Sequence, residues 1–389
     1  MFCGETFPLI YCFSVKCTIF LLLCYQQISI AQQVINSLYL PPKEILSRTD
    51  KDTAYNLYHN KNKTIAEISE IIDVPINDLN ELLNPPEFIK ESDYRVKEYE
   101  FLTTEESIND RNLSFTQEVS DKLSTYGIKR LLKINRLKLS SVQTGFSRQE
   151  PIDKDLYEVY SMDDFILTNR NSVKAKYTSS KGNKVDILPG VENFGEGIFI
   201  EFSKDKIIDW YKGNSQNNMF IERIQNLARN ARISEFGLTE EKNKMIQEPE
   251  YLAKFLLIHT FSHILIKELE FLVGYPATSL SERLYINENK MQGILIYTIA
   301  GAEGSFGGLV SQANTERFIK ILHSAIIRAQ DCASDPICYN SEGQGIGGLN
   351  LAACYSCTLL PETSCEEFNS YLDRGILIDK TENFGFYNF

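Results

Sequence analysis

Cysteine is absent from most of the chain. Of its nine cysteines, four lie before residue 25 and five lie between Cys332 and Cys365, so residues 25–331 have none. A disulfide framework usually spreads its cysteines along a small secreted chain. Clustered thiols in a chain of 389 residues instead favour a metal site in a reducing compartment.

The sequence also has no excess of positive charge. Its 40 Lys and Arg against 52 Asp and Glu give a net charge of −12, so the molecule as a whole repels a phosphate backbone. The densest basic stretch contains Lys129, Arg130, Lys133 and Arg136. It is a candidate phosphate contact, although a solvated face or a partner-docking strip is favoured. We therefore expect any DNA contact to be weak or indirect.

The N-terminus lacks an apolar run long enough to span a bilayer. Lys16 precedes the short apolar run at residues 17–25, and Ala31 ends a small-x-small pattern, so a signal peptide over residues 1–31 is one interpretation. Glu5 lies ahead of Lys16, the only basic residue among residues 1–31, which fits such a leader poorly. We favour residues 1–33 as the edge of a longer protein, and expect a cytoplasmic location with no membrane partner.

Patterning of apolar residues predicts an α+β fold in three further segments. Residues 34–95 are predicted to be a helical segment, with helical periodicity over 40–95. Residues 96–247 have the strand-like runs of an α+β middle domain, and residues 248–389 form a helix/strand domain with a cysteine zinc site. The last segment has the clearest elements. A long helix is predicted over Pro249–Val273 and ended by Gly274, followed by a buried strand at 293–299 and an amphipathic helix at 314–330.

The strongest chemical signal is the late cysteine group: Cys332, Cys338, Cys354, Cys357 and Cys365. A Cys-x-x-Cys turn lets two thiolates converge on one ion, and a structural zinc takes four ligands in a tetrahedral array. The preferred ligands are Cys354 and Cys357 with Cys338 and Cys365, and Cys332 is held in reserve. A redox motif is the alternative, but glycines, and not a strand, precede this turn. Four thiolates would fold the segment without activating water.

Two histidines share a helical face in the long predicted helix. His259 and His263 are four residues apart, so both rings could bind one ion. A metalloprotease motif needs glutamate directly after the first histidine, whereas Thr260 stands there. A structural role is favoured; a second metal site, or a metal-dependent hydrolase that uses both histidines and a carboxylate such as Glu303, is the alternative.

No nucleotide-binding loop is present in the sequence. The glycine-rich stretch at 301–308 could aim backbone N–H groups at an anion, but it lacks the Gly-Lys-Ser/Thr ending of a P-loop, and Ser305 lacks the frame of a nucleophile elbow. We therefore expect a protein that is not an enzyme, has no evident small-molecule substrate, and leaves any ATP chemistry to a partner.

Several of these motifs together resemble one family. These motifs are the runs His259–Ile266, Gly304–Leu309 and Ala353–Glu366, with Gly145–Arg148 and Leu188–Glu192 upstream. They resemble the C-terminal zinc-binding domain of the MrfA helicase type, and in particular the version in the DrmB components of DISARM anti-phage systems. The likeness covers roughly residues 96–389, and a complete DrmB-type protein should be longer at its N-terminus.

The resemblance implies a function. It predicts a cytoplasmic, non-catalytic subunit with structural Zn²⁺, associated with a DNA helicase subunit in antiviral defence. Two alternatives from other classes stay open, namely the hydrolase that uses His259 and His263, and a secreted disulfide-bonded protein.

Overall fold

Helices and strands are interspersed along the chain in the computed structural model, which confirms the predicted α+β class. The residues described are 30–38, 48–59, 61, 63–76, 79, 83, 91–148, 175–178, 184–187, 190–234, 239–274, 276–298 and 307–387. The helices are α1 (Arg48–His59), α2 (Ile65–Ile72), α3 (Glu91–Thr104), α4 (Lys122–Thr125), α5 (Lys204–Asn214), α6 (Asn218–Ser234), α7 (Glu240–Gln247), α8 (Pro249–Val273), α9 (Gly308–Gln312), α10 (Thr315–Ala329) and α11 (Arg374–Leu377). The strands are β1 (Ile30–Leu38), β2 (Ser107–Asn109), β3 (Leu113–Glu118), β4 (Ile128–Arg148), β5 (Ala175–Thr178), β6 (Lys184–Ile187), β7 (Gly190–Phe202), β8 (Leu280–Ile286) and β9 (Gln292–Thr298).

One antiparallel sheet organises the fold. Its strand order is β2-β3-β4-β7-β9-β8, and β1 also pairs with β4. Strand β7 comes from the predicted middle domain and β9 from the predicted C-terminal domain, and they pair from Gly197 opposite Tyr297 to Glu201 opposite Gly293. The sheet therefore runs across the sequence-based boundary at 247/248. Local patterning cannot reveal a pairing between strands about 90 residues apart.

Helix α8 lies against one face of this sheet. Its ends are those predicted: Pro249 occupies the first turn, and Gly274 adopts φ 75° and donates its N–H to the Glu270 carbonyl at 3.0 Å. Every residue from 251 to 266 is buried, as expected for a helix that is apolar on all sides. Alternation along β7 directs Ile198 and Ile200 into the core around α8, whereas Phe199 packs on the opposite side.

The glycine-rich loop leads into α9. Residues 299–306 lie outside the described residues, but the first turn of α9 is clear. The backbone N–H groups of Gly307 and Leu309 donate to the Glu196 carboxylate of β7 at 2.6 and 2.9 Å. A buried internal carboxylate thus occupies the anion-binding position that the sequence suggested. The predicted buried strand and amphipathic helix that flank this loop are confirmed as β9 and α10.

The N-terminal segment is only partly helical. Thr64 and Glu67 form a capping box on α2, and Ile68 packs in a small separate core. Residues 34–38, which fall within the predicted helical segment, instead belong to strand β1, because the long strand β4 offers them a pairing edge. Most of the candidate signal peptide lies outside the described residues. Within the described part of the chain, none of the helices combines the length and apolarity that crossing a membrane requires.

Candidate metal centres

Four cysteines, three of them partly exposed and one buried, converge to form a four-cysteine cluster. They are Cys332, Cys338, Cys354 and Cys357, and one ligand atom from each lies within 4.8 Å of all the others. The Sγ–Sγ distances are 3.4 Å from Cys332 to Cys354, 3.8 Å from Cys338 to Cys357, and 3.8 Å from Cys354 to Cys357. Tetrahedral zinc with bonds near 2.3 Å requires sulfur edges of about 3.8 Å. The cluster therefore fits a four-thiolate zinc.

The Cys-x-x-Cys segment is a tight turn that aims both of its sulfurs inward. The Cys354 carbonyl accepts the N–H groups of Cys357 at 3.2 Å and Thr358 at 2.9 Å. The Cys354 N–H donates to the Cys357 sulfur at 3.2 Å, and the Ser334 N–H donates to the Cys332 sulfur at 3.4 Å. Such N–H donors stabilise negative sulfur, so the local backbone is arranged for thiolates.

The four thiols differ in acidity. Hydrogen bonding from Cys338 lowers the pKa of Cys357, with help from the Thr358 hydroxyl, and the same bond raises the pKa of Cys338. Burial raises the pKa of Cys332. Burial acts against Cys354 too, yet hydrogen bonding from Cys332 leaves the pKa of Cys354 lowered. The pKa is thus lowered for Cys354 and Cys357 and raised for Cys332 and Cys338, and binding of a cation to all four sulfurs would release protons.

A buried ion pair holds the two cysteine-bearing stretches together. Arg223 on α6 donates to both oxygens of Asp373, at 2.8 and 2.6 Å. The same guanidinium donates to the carbonyl of Tyr339, the residue after Cys338, at 3.2 Å. Asp373 also accepts the N–H of Ala352, two residues before the Cys-x-x-Cys turn, at 3.4 Å. The pair therefore positions both stretches relative to α6.

A second cluster lies deeper in the molecule. His259 and His263 of α8, Glu282 of β8 and Cys365 are all buried, and their ligand atoms lie within 4.8 Å of one another. His259 Nε2 is 3.1 Å from Glu282 Oε1 and 3.3 Å from Cys365 Sγ, and His263 Nε2 is 3.5 Å from Glu282 Oε1. The histidines are therefore packed against an acid and a thiol, and have no exposed surface.

The structure regroups the predicted ligands. Cys332, which the sequence analysis held in reserve, lies with Cys338, Cys354 and Cys357, whereas Cys365, the preferred fourth ligand, lies with the histidines. The reason is spatial: Cys365 follows a 3₁₀ turn at Glu362–Ser364 that packs on β8, the strand of Glu282. Sequence reasoning missed Glu282, because Ser281 and Arg283 beside it in β8 are also polar and no local pattern singles it out. Glu303, the carboxylate suggested for a hydrolase, lies outside the described residues.

The basic stretch is part of strand β4. Lys129 Nζ is 2.7 Å and Arg130 Nε is 3.8 Å from the Glu201 carboxylate, Lys133 is paired with a carboxylate of β3, and Arg136 is exposed. Carboxylates of neighbouring strands therefore offset much of its charge. Phosphate contact by this strip stays a prediction.

Comparison with known proteins defines the class of the C-terminal region. Residues 261–358 match the MrfA Zn-binding domain family. This range includes all four residues of the four-cysteine cluster, and their geometry fits the zinc that such a domain implies. The C-terminal region is therefore similar to zinc-binding domains of the MrfA type, as the sequence predicted.

The similarity extends beyond that domain. Over 292 residues the chain is 31% identical to the DISARM protein DrmB of Bacillus paralicheniformis, and the match covers 75% of this chain and 47% of that protein. The predicted resemblance to DrmB is thereby confirmed. The chain spans about half the length of the curated relative that it matches.

Proposed function

We propose that the chain is a non-catalytic, zinc-binding accessory subunit of a cytoplasmic, DNA-acting anti-phage complex. The observation that carries the proposal is the convergence of four thiols on one point in a chain similar to a DISARM protein. In this role Zn²⁺ joins the Cys332–Cys338 stretch to the Cys354–Cys357 turn, and so provides a rigid surface for assembly.

The chemistry of both clusters favours a structural role. A catalytic zinc needs an open position for water or substrate, whereas four thiolates complete a tetrahedral shell. His259 and His263 have no solvent-exposed surface, so a substrate has no route to them in this conformation. The hydrolase alternative is therefore disfavoured.

The charge distribution favours DNA contact through a partner. The net charge is −12, and Lys129 and Arg130 are paired with Glu201. A helicase subunit would supply both the ATP chemistry and most of the phosphate contacts.

A phage-infection assay in cells that carry the complete defence locus tests this function. We expect deletion of the gene to raise phage plating to the level of unprotected cells. The Cys354→Ser/Cys357→Ser double variant should have the same effect, and the helicase subunit should no longer co-purify with it. Ser356→Ala is the matched control, because this exposed side chain lies in the same turn. Full protection without the gene, or ATP hydrolysis by the purified chain alone, would contradict the proposal.

A further inference from the structure

We propose that His259, His263, Glu282 and Cys365 form a second metal site, separate from the four-cysteine cluster and specific for Zn²⁺ or a similar borderline divalent cation. The two clusters share no residue. The inference does not depend on the defence function, because it rests on the geometry and the charge of the buried cluster alone.

The distances match a tetrahedral shell around one ion. A zinc with Zn–N near 2.0 Å and Zn–S near 2.3 Å sets N–O edges of about 3.3 Å and N–S edges of about 3.5 Å. The observed values are 3.1 and 3.5 Å from Glu282 Oε1 to the two imidazole nitrogens, and 3.3 Å from His259 Nε2 to Cys365 Sγ. An ion would therefore fit with only small side-chain shifts.

The hydrogen bonds of His263 leave a lone pair aimed into the cluster. Its Nδ1 lies 3.1 Å from the Thr358 carbonyl, which can only accept, so Nδ1 carries the proton. In the neutral ring Nε2 is then a bare lone pair facing Glu282 Oε1, and it makes no hydrogen bond within the part of the chain that the structure describes. A carbonyl acceptor on the far nitrogen is the usual device that orients a metal-binding histidine, and a cation would resolve the contact between the two lone pairs.

His259 shows the same convergence. Its Nε2 approaches both the Glu282 oxygen and the Cys365 sulfur, and one N–H bond cannot point at both. A lone pair directed at a point between them suits a shared ion.

Backbone donors support the two anionic ligands. The N–H groups of Glu367 and Asn369 each donate to Cys365 Sγ at 3.3 Å, which favours the thiolate that binds metal. The Glu366 N–H lies 3.3 Å from Glu282 Oε1. A single turn after Cys365 thus supports both anions.

Charge balance explains why this cluster can be buried. One thiolate, one carboxylate and two neutral imidazoles around a divalent cation carry no net charge, so burial of the whole assembly avoids the cost of an isolated ion. Four thiolates around the same ion would keep a charge of −2, and that cluster is partly exposed. A mixed nitrogen, oxygen and sulfur set selects zinc or its neighbours over Mg²⁺ and Ca²⁺.

Metal content of the purified full chain tests the site. We expect two zinc ions per chain by mass spectrometry, and an X-ray absorption shell that averages about 2.5 sulfurs per zinc. One zinc per chain with a shell of four sulfurs would overturn the second site and leave the four-cysteine site intact. A coordination shell with no zinc bound by four sulfurs would contradict the four-cysteine site instead.

Paired variants assign each ion. Cys365→Ser is expected to leave one zinc with four sulfurs, whereas Cys332→Ser is expected to leave the mixed shell. Ser262→Ala is the matched control, because Ser262 is buried on α8 between the histidines and its hydroxyl has no hydrogen-bond partner among the described residues; it should keep both ions. Two zinc ions retained by Cys365→Ser would overturn the assignment. If a cysteine variant fails to fold, the count and shell of the wild-type protein still decide.

Discussion

Replacing Arg223 with methionine should lower the free energy of unfolding and weaken zinc binding. Methionine keeps most of the aliphatic volume of Arg223 but leaves Asp373, which is fully buried, without its counter-charge. Breaking a buried ion pair by removing one partner costs about 3–5 kcal/mol. The upper part of this range is expected, because the guanidinium makes two bonds to Asp373 and a third to the Tyr339 carbonyl.

A double variant separates the charge from the packing. Asp373→Asn removes the charge and keeps an oxygen for the N–H groups of Ala352 and Gly375. The double variant Arg223→Met/Asp373→Asn therefore buries no unpaired charge. Its free energy of unfolding should exceed that of Arg223→Met alone by about 1–3 kcal/mol.

Urea unfolding followed by tryptophan fluorescence measures these differences. Trp210 is the only tryptophan; it donates to the Phe384 carbonyl at 2.7 Å and packs edge-on against Phe220, one turn from Arg223 on α6. Arg229→Met, an exposed change on the same helix, should stay within about 0.5 kcal/mol of wild type. A loss below about 1 kcal/mol for Arg223→Met, or a double variant no more stable than that single one, would refute the reasoning. Zinc should also leave Arg223→Met faster than wild type.

Three further predictions concern pH and the glycines. Since zinc must displace thiol protons at the four-cysteine site, its affinity should rise from about pH 6 to pH 8 in a chelator competition; a flat profile would contradict this. Gly195→Ala should lower the free energy of unfolding by about 1–3 kcal/mol, because the added Cβ would lie 2.4 Å from the Thr298 carbonyl oxygen. Gly213→Ala, which has open space on α5, should instead raise it by about 0.5–1 kcal/mol. Equal shifts in melting temperature for the two variants would refute this contrast. Burial lowers the pKa of Lys254 to about 8. Above that pH the Lys254 amine binds a proton more often in the unfolded chain than in the folded one. The free energy of unfolding should therefore rise from about pH 8 to pH 10, by at most about 3 kcal/mol. Lys254→Met should lack this rise in urea titrations at each pH.

Local signals predicted the C-terminal elements well. Helix α8 begins at a proline, ends at a left-handed glycine and is mostly apolar between them, so residues at its two ends predict its limits. The same holds for α10, which carries a buried stripe with Phe318 and Leu322.

Long-range contacts were beyond the reach of sequence patterns. The choice between Cys332 and Cys365 depends on how the 3₁₀ turn before Cys365 packs on β8, and Glu282 meets His259 across 23 positions of sequence. Strand β1 is another case, because its partner in β4 lies more than 100 residues away. Spacing identifies which residue types can bind metal, whereas tertiary packing decides which of them meet.

The pairing of β7 with β9 limits how the protein can be dissected. An excised piece that spans only residues 261–358 would lose about three turns of α8, and the inner strand β9 would become a bare edge, free to recruit other chains and aggregate. Expression trials of the zinc-binding region should therefore retain β7 upstream and the turns after Cys365 downstream, since the block that matches the family, residues 261–358, is smaller than the unit that folds.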